Sequence, residues 1–246
     1  MEVHHARVCM SAKIVTSHLK VSNASEPHHY DLKTYSQIIF KMARTRAKDY
    51  HQKKAFIREK AVELFAEQGF SNSSITQLSG RCGASKAWLY HYFTSKEEIL
   101  FEIFDIHTSR LVEAIKNVRE LGLAPEEQFQ KFLQNFLKIY ESTQTTHLVL
   151  LHDLNRLNPE QHEIIAARER TIVQEIAEMI AVLRPDLLGH QPELQKPLAM
   201  SLMGMINWTF TWFRKEGPMS HKQFSQLAAQ LFLHGIIRLN LQASGD

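Results

Sequence analysis

The residues with the most evident chemistry lie in one stretch, Ser73 to Leu100, SSITQLSGRCGASKAWLYHYFTSKEEIL. Lys86 can donate to guanine O6 and N7 or to a phosphate. Ala87 is small enough to let a backbone approach a groove, or to touch a thymine methyl. Ser74 places a hydroxyl and a helix N-terminus where a phosphate can accept from them. Trp88 can pack on sugars or a thymine methyl, or lie back against a preceding helix, and its type alone does not choose. This is the chemistry of hydrogen bonding to DNA rather than of bond making.

Such side chains must be held at fixed spacing, and the surrounding residues supply the means. Ser74-Ile75-Thr76-Gln77 fits a capping box, a hydroxyl at N-cap and Gln three residues on. The short helix it opens buries Ile75, Leu78 and Cys82. Gly83 then interrupts, because a left-handed helix end favours a residue without a Cβ. A second short helix is predicted from Ser85 to Phe93, and Ser95-Lys96-Glu97-Glu98 reads as another capping box opening a third. Two short helices around a Gly-containing turn have the helix-turn-helix shape, whose second helix can enter a major groove. Upstream, a helix is predicted from Tyr50 to Gln68, closing at Gly69. Ile57, Ala61, Leu64 and Phe65 share one face, and Lys53, Lys54, Arg58 and Lys60 line the other. Phe70 and Phe93 complete a small core.

Charge follows the same division. The chain of 246 residues carries a net +3, yet residues 42–96 hold ten Lys/Arg against four Asp/Glu, whereas residues 97–246 hold fourteen against nineteen. Positive charge concentrated on the helix-turn-helix is what a phosphate-binding surface requires. The two cysteines, Cys9 and Cys82, imply no disulfide framework and suit a reducing cytoplasm. No apolar run is long enough to span a bilayer, and no signal-peptide h-region opens the chain, so no membrane partner is expected.

Over several helices at once, residue types and spacing resemble the TetR family of bacterial transcriptional regulators. The matching runs are Ala61-x-x-Leu64-Phe65-x-x-x-Gly69-Phe70, Gly83-Ala84-Ser85-Lys86, Leu89-Tyr90-His91-Tyr92-Phe93 and Ser95-Lys96-Glu97. The resemblance implies an all-α protein of about nine helices: a three-helix DNA-binding domain over 42–96, then a ligand-binding and dimerisation domain over 97–246. It adds Ser85, Tyr90, His91 and Lys96 to the DNA-facing residues, the last three as phosphate contacts, with His91, like Lys86, Ala87 and Trp88, also a candidate to reach a base edge from a short helix. It also makes the helix from Ser95 past Leu111 the connector between the two domains, and the last two helices a homodimer interface. Trp88 departs from the small polar residue common at its position, which leaves base preference open. Residues 1–41 are expected to be a disordered or non-core extension, with a short helix over Tyr35 to Ala43. The pairs His4-His5 and His28-His29 lack acidic or Cys neighbours, so no metal site is assigned. The Arg44–Arg46 arm can add minor-groove or phosphate contacts.

The remaining chain reads as helices: Pro125 to Tyr140, Thr145 to Leu157, Pro159 to Leu183 ended by Pro185, Glu193 to Lys215, and Ser220 to Leu241. Ile164, Ile172, Ile176, Met179 and Leu183 form an apolar face on the third of these. Phe224, Leu227, Ala228, Leu231, Phe232, Gly235, Ile236 and Leu239 keep the helical period through the last. Phe132, Phe136, Tyr140, Leu148, Trp208 and Trp212 offer apolar wall, and His152, Asn155 and Arg156 polar anchors, for a small-molecule site. His152 and Asp153 are adjacent and face different sides of a helix, so they form no catalytic dyad. With no nucleophile elbow and no phosphate-binding glycine loop, no enzymatic activity and no cofactor are expected. Ile206-Asn207-Trp208-Thr209-x-x-Trp212-Phe213 with Gly217-Pro218-x-Ser220 resembles TetR-type regulators of fatty-acid, steroid or aromatic-acid catabolism. That resemblance implies an acyl-CoA thioester or related acid as effector, its phosphates met by Arg156, Arg168 or Arg214. The expected function is a repressor that binds a pseudo-palindromic double-stranded operator as a homodimer and is released by that effector. A multidrug-type sensor and a ligand-independent or architectural DNA-binding protein are the alternatives.

Overall fold

The first helix is longer than the sequence led us to expect. It runs over Leu32–Gln68 (α1) rather than starting at Tyr50. Residues 32–68 contain neither Gly nor Pro, so nothing in the backbone chemistry stops it. The computed structural model describes residues 32–214 and 216–237, with side chains from residue 47 on. The chain divides into two compact units, Met1–Asp49 and Tyr50–Asp246. In the smaller, the described backbone is helical throughout. The two His-His pairs, Cys9, Leu239 and the side chains of Arg44 and Arg46 lie outside the described residues.

In the larger unit, α2 (Ile75–Arg81), α3 (Lys86–Tyr90), α4 (Lys96–Arg119), α5 (Pro125–Asp153) and α6 (Pro159–Leu183) follow in order. Two short turns of helix, α7 (Pro185–Leu188) and 192–194, lead into α8 (Gln195–Asn207), α9 (Thr209–Trp212) and α10 (His221–Ile237). Among the described residues there is no strand. Proline opens α5 and α6 at the position where its missing N–H is harmless, and Asn158 caps α6 by accepting from Gln161 N at 2.8 Å.

Four expected boundaries or faces change. α3 ends at Tyr90, with His91 as its C-cap, short of Phe93. The break anticipated between Tyr140 and Thr145 is a kink inside one helix. Thr143 leaves helical geometry at φ −130, ψ 21, its hydroxyl donating back to Ile139 O at 2.8 Å. The helix predicted from Glu193 to Lys215 is divided at Trp208, where Thr209 donates to Ile206 O at 2.6 Å and Thr211 to Trp208 O at 2.7 Å. On α6, Ile165 rather than Ile164 faces inward. Adjacent isoleucines differ by one step of the helix, and the period alone does not choose between them.

Two hydrophobic cores result. One joins Ile57, Leu64, Phe65, Leu78, Leu89 and Phe93 to Ile99, Leu100, Ile103 and Phe104 of α4, and also takes in Val149 and Leu150 of α5. The other holds Leu111, Ile115 and Val118 of α4 with Phe129 to Tyr140 of α5 and the inner faces of α6, α8 and α10. α4 and α5 thus each pass from one core into the other.

Candidate nucleic-acid interface and effector end

The helix-turn-helix is built from local hydrogen bonds. Ser74 Oγ accepts from Gln77 N at 3.2 Å while Gln77 Oε1 accepts from Ser74 N at 2.9 Å, the reciprocal box the sequence encodes. Gly83 takes φ +62, and Ala84 N reaches Ser79 O at 3.0 Å to close the turn. Ser85 Oγ caps α3 by accepting from Trp88 N at 3.1 Å. Ser95 accepts from Glu98 N at 3.1 Å, but the returning carboxylate bonds Thr94 N and Oγ1 at 2.6 and 2.7 Å instead of Ser95.

Leu89 is the buried anchor of α3. Opposite it, Ser85, Lys86, Ala87, Tyr90 and His91 are exposed together, and Ser74 is exposed at the start of α2. His91 packs edge-on against Tyr92 and Tyr50, with ring centroids 5.0 and 6.3 Å away. Trp88 is half-buried, 4.9 Å from the Tyr92 ring, and shares a surface groove with Phe56 and Gln52 of α1. It therefore lies back against the first helix, one of the two orientations its type left open.

Lys96 is engaged inside the protein. Its ammonium donates to Phe70 O at 3.0 Å and Ser73 O at 3.1 Å and sits 4.3 Å over the Phe70 ring. Sequence reasoning missed the ion pairs that trim the basic surface. Lys54 and Arg58 of α1 both pair with Glu102 of α4, Arg81 pairs with Glu67, and Lys60 donates to Glu63 at 2.8 Å. The i,i+3 spacing of Lys60 and Glu63 was a readable signal; the pairs to Glu102 join residues too far apart in sequence to be seen.

At the other end, the residues read as one pocket are not brought together. Phe136 and Tyr140 are buried on α5, and the Tyr140 hydroxyl donates to Asn207 Oδ1 at 2.8 Å. His152, Asn155 and Arg156 are exposed, and Trp208 and Trp212 point outwards at 64% and 51% exposure. Arg168 pairs with Asp105 of α4, and Arg214 is exposed. Between the two cores sit polar groups that sequence reasoning passed over: His107, His147 and Glu169. Burial pushes His107 down to about 3 and His147 down to about 4, and pushes the Glu169 carboxyl up.

Residues 57–103 match the model of bacterial regulatory proteins of the tetR family, and residues 122–236 match that of the tetracyclin repressor-like C-terminal domain. A TetR-family transcriptional regulator from Bordetella parapertussis 12822 is 33% identical, with a TM-score of 0.70 over 77% of this chain and 98% of that one. The chain belongs to the TetR family. Within this TetR-family transcriptional regulator, α2 and α3 are the helix-turn-helix, and operator DNA is the family's ligand at that end. Further relatives include the transcriptional repressor KstR2 of Mycobacterium tuberculosis, 24% identical over 73% of this chain and 90% of that one. The structure of AibR in complex with isovaleryl coenzyme A and operator DNA, at 22% identity, shares the TetR fold, with a TM-score of 0.60 over 72% of this chain and 96% of that one. The chain spans only 28% and 39% of the length of two Bacillus subtilis HTH-type regulators that it also matches. No described helix of this TetR-family chain is long and apolar enough to cross a membrane.

Proposed function

We propose that this regulator is an effector-released repressor: a homodimer holds two α3 helices on a pseudo-palindromic operator, and an acyl-CoA thioester or related acid releases it. One observation carries the coupling. α4 begins beside the helix-turn-helix in one core and ends in the other, so its two ends respond to different partners. Adjacent operator half-sites lie about 34 Å apart, and a small rotation carried along α4 in each subunit spoils that spacing. The effector must prefer the released geometry, since equal affinity for both shifts nothing. A coupling of about 1–3 kcal/mol is typical of such linkage.

The acyl-CoA class is supported by the sequence of α8 and α9 and by AibR, whose structure holds isovaleryl coenzyme A. DNA contact is assigned to Ser74, Ser85, Lys86, Ala87, Tyr90, His91 and Lys96, with Trp88 supporting α3 from behind. Dimerisation is assigned to the outer faces of the last helices, where Trp208, Trp212, Leu227, Leu231 and Ile237 leave apolar surface exposed. Titrating operator-bound protein with acyl-CoAs, the matching free acids and a cationic drug, with anisotropy of labelled DNA as readout, tests the reading. Release by an acyl compound is the expected result. Release by the drug alone makes the protein a multidrug-type sensor, and release by none makes it ligand-independent.

A further inference from the structure

Two buried histidines face each other where the two cores meet. His107 of α4 is 2% exposed and His147 of α5 is 5% exposed, with ring centroids 5.7 Å apart. None of their four ring nitrogens has a hydrogen-bond partner among the described residues. Protein interiors leave few polar atoms unpaired, so four in one place need a physical account. The Tyr140 ring lies tilted with its centroid 4.6 Å from that of His147, and the helical geometry of α5 fails at Thr143, between these two residues. His107 also lines a groove of about 360 Å³ with Val62, Ile103, Ile106, Arg110 and Thr146. Burial keeps both imidazoles neutral at pH 7, so each offers one N–H donor and one acceptor nitrogen.

We propose that His107 and His147 are the polar anchor of an internal ligand site, which takes the carbonyl head of an acyl compound whose apolar tail lies against Val62, Ile103 and Ile106 in the groove. A carbonyl oxygen has two lone pairs and can accept from one N–H of each ring. Rings 5.7 Å apart can both reach one oxygen at ordinary hydrogen-bond lengths of about 2.9 Å. A protonated free acid adds an O–H for one of the acceptor nitrogens; a thioester offers the carbonyl alone. The groove mixes three aliphatic side chains, Val62, Ile103 and Ile106, with charged Arg58, Glu63 and Arg110 and four hydroxyl side chains, so it offers apolar contact for a tail and polar contact for the rest of the molecule. The location matters for signalling. The anchor joins α4 to α5 at the kink, at the point where α4 passes from the helix-turn-helix core to the effector-end core.

The assignment rests on the acyl-effector reading above, and the test separates the two. Octanoic acid and octanoyl-CoA are titrated by calorimetry into the full-length wild type and into His107→Phe, His147→Phe and His107→Gln, and the thermal midpoint of each ligand-free protein is recorded. The wild type is expected to bind at least one of the two probes, and the one it prefers distinguishes acid from thioester. Each Phe variant is expected to lose at least about tenfold in affinity, the effect of one good hydrogen bond. Its thermal midpoint should stay level or rise, because two unpaired nitrogens are gone. His107→Gln, which keeps a donor, should lose less, and it carries the comparison if a Phe variant fails to fold. Undiminished binding in the variants overturns the histidine anchor and leaves the acyl effector standing. Lowered midpoints with unchanged affinity make the pair a structural element and overturn it as well. A wild type that binds neither probe rejects the acyl effector itself, and the anchor with it.

Discussion

Lys96 and the histidine pair show how differently a polar side chain can sit in one small protein. Two of the three N–H groups on Lys96 are held by Phe70 O and Ser73 O, leaving one for a phosphate. Lys96→Met keeps the stem and removes the donors, so it is expected to lower stability by about 1–3 kcal/mol. It should also weaken operator binding, with the salt slope falling by about 0.9 for one phosphate lost. Thermal unfolding and a salt series of operator titrations measure both; an unchanged slope with a lowered midpoint would make Lys96 a structural latch alone. The histidines set a pH dependence. Unfolded, each titrates near 6.5; folded, His107 is held down to about 3 and His147 to about 4. Between those values the unfolded chain binds more protons, so stability falls as pH drops from about 6.5 towards 4 and is fully present above that window. Two such groups give a slope of at most about 2.7 kcal/mol per pH unit. Urea unfolding at pH 7, 5.5 and 4.5 should show this acid sensitivity in the wild type and much less of it after both are replaced by Phe.

At the scale of elements, local signals were legible and long-range ones were not. The capping box at Ser74, the turn at Gly83 and the proline starts of α5 and α6 depend on residues a few positions apart, and each is found where the sequence puts it. Ser74→Ala is therefore expected to cost about 1 kcal/mol in thermal or urea unfolding and to weaken operator binding, since it removes the cap that fixes the start of α2, its hydroxyl both accepting from Gln77 N and donating to Gln77 Oε1. The exposure of Lys86, Ala87 and His91 on a short helix was equally readable, whereas Tyr90 came from the family resemblance and Trp88 is half-buried. What failed depended on partners distant in sequence. Trp208 and Trp212 read as pocket wall because of their aromatic area, yet they stand 64% and 51% exposed, on a face of their helices that only the packing of the whole bundle defines. Lys54 and Arg58 read as a free basic face because Glu102 is remote in the chain. His107 and His147 drew no notice because isolated histidines on apolar helices are common, and only the fold sets one against the other.

The whole molecule has more apolar surface on its last helix than one subunit can bury. Phe224, Ala228, Phe232 and Ile236, four residues apart, fill the core shared with α4, α5, α6 and α8. Leu227 and Leu231 are also four apart, yet they stand 40% and 60% exposed on another face. A helix packed on one side cannot turn its second stripe inward, and in the proposed homodimer a twofold axis covers it with the same stripe from a second copy. Leu231→Glu places a charge there while removing little from the subunit's own core. Sedimentation at micromolar concentration is expected to show monomers, with far-UV circular dichroism unchanged because the inward face is intact. Operator affinity should then fall by about 10²-fold or more, because the second α3 no longer binds as part of one molecule. A dimer of undiminished stability in Leu231→Glu would place the interface elsewhere, and a monomer that still held the full operator with wild-type affinity would remove the need for two linked half-site contacts.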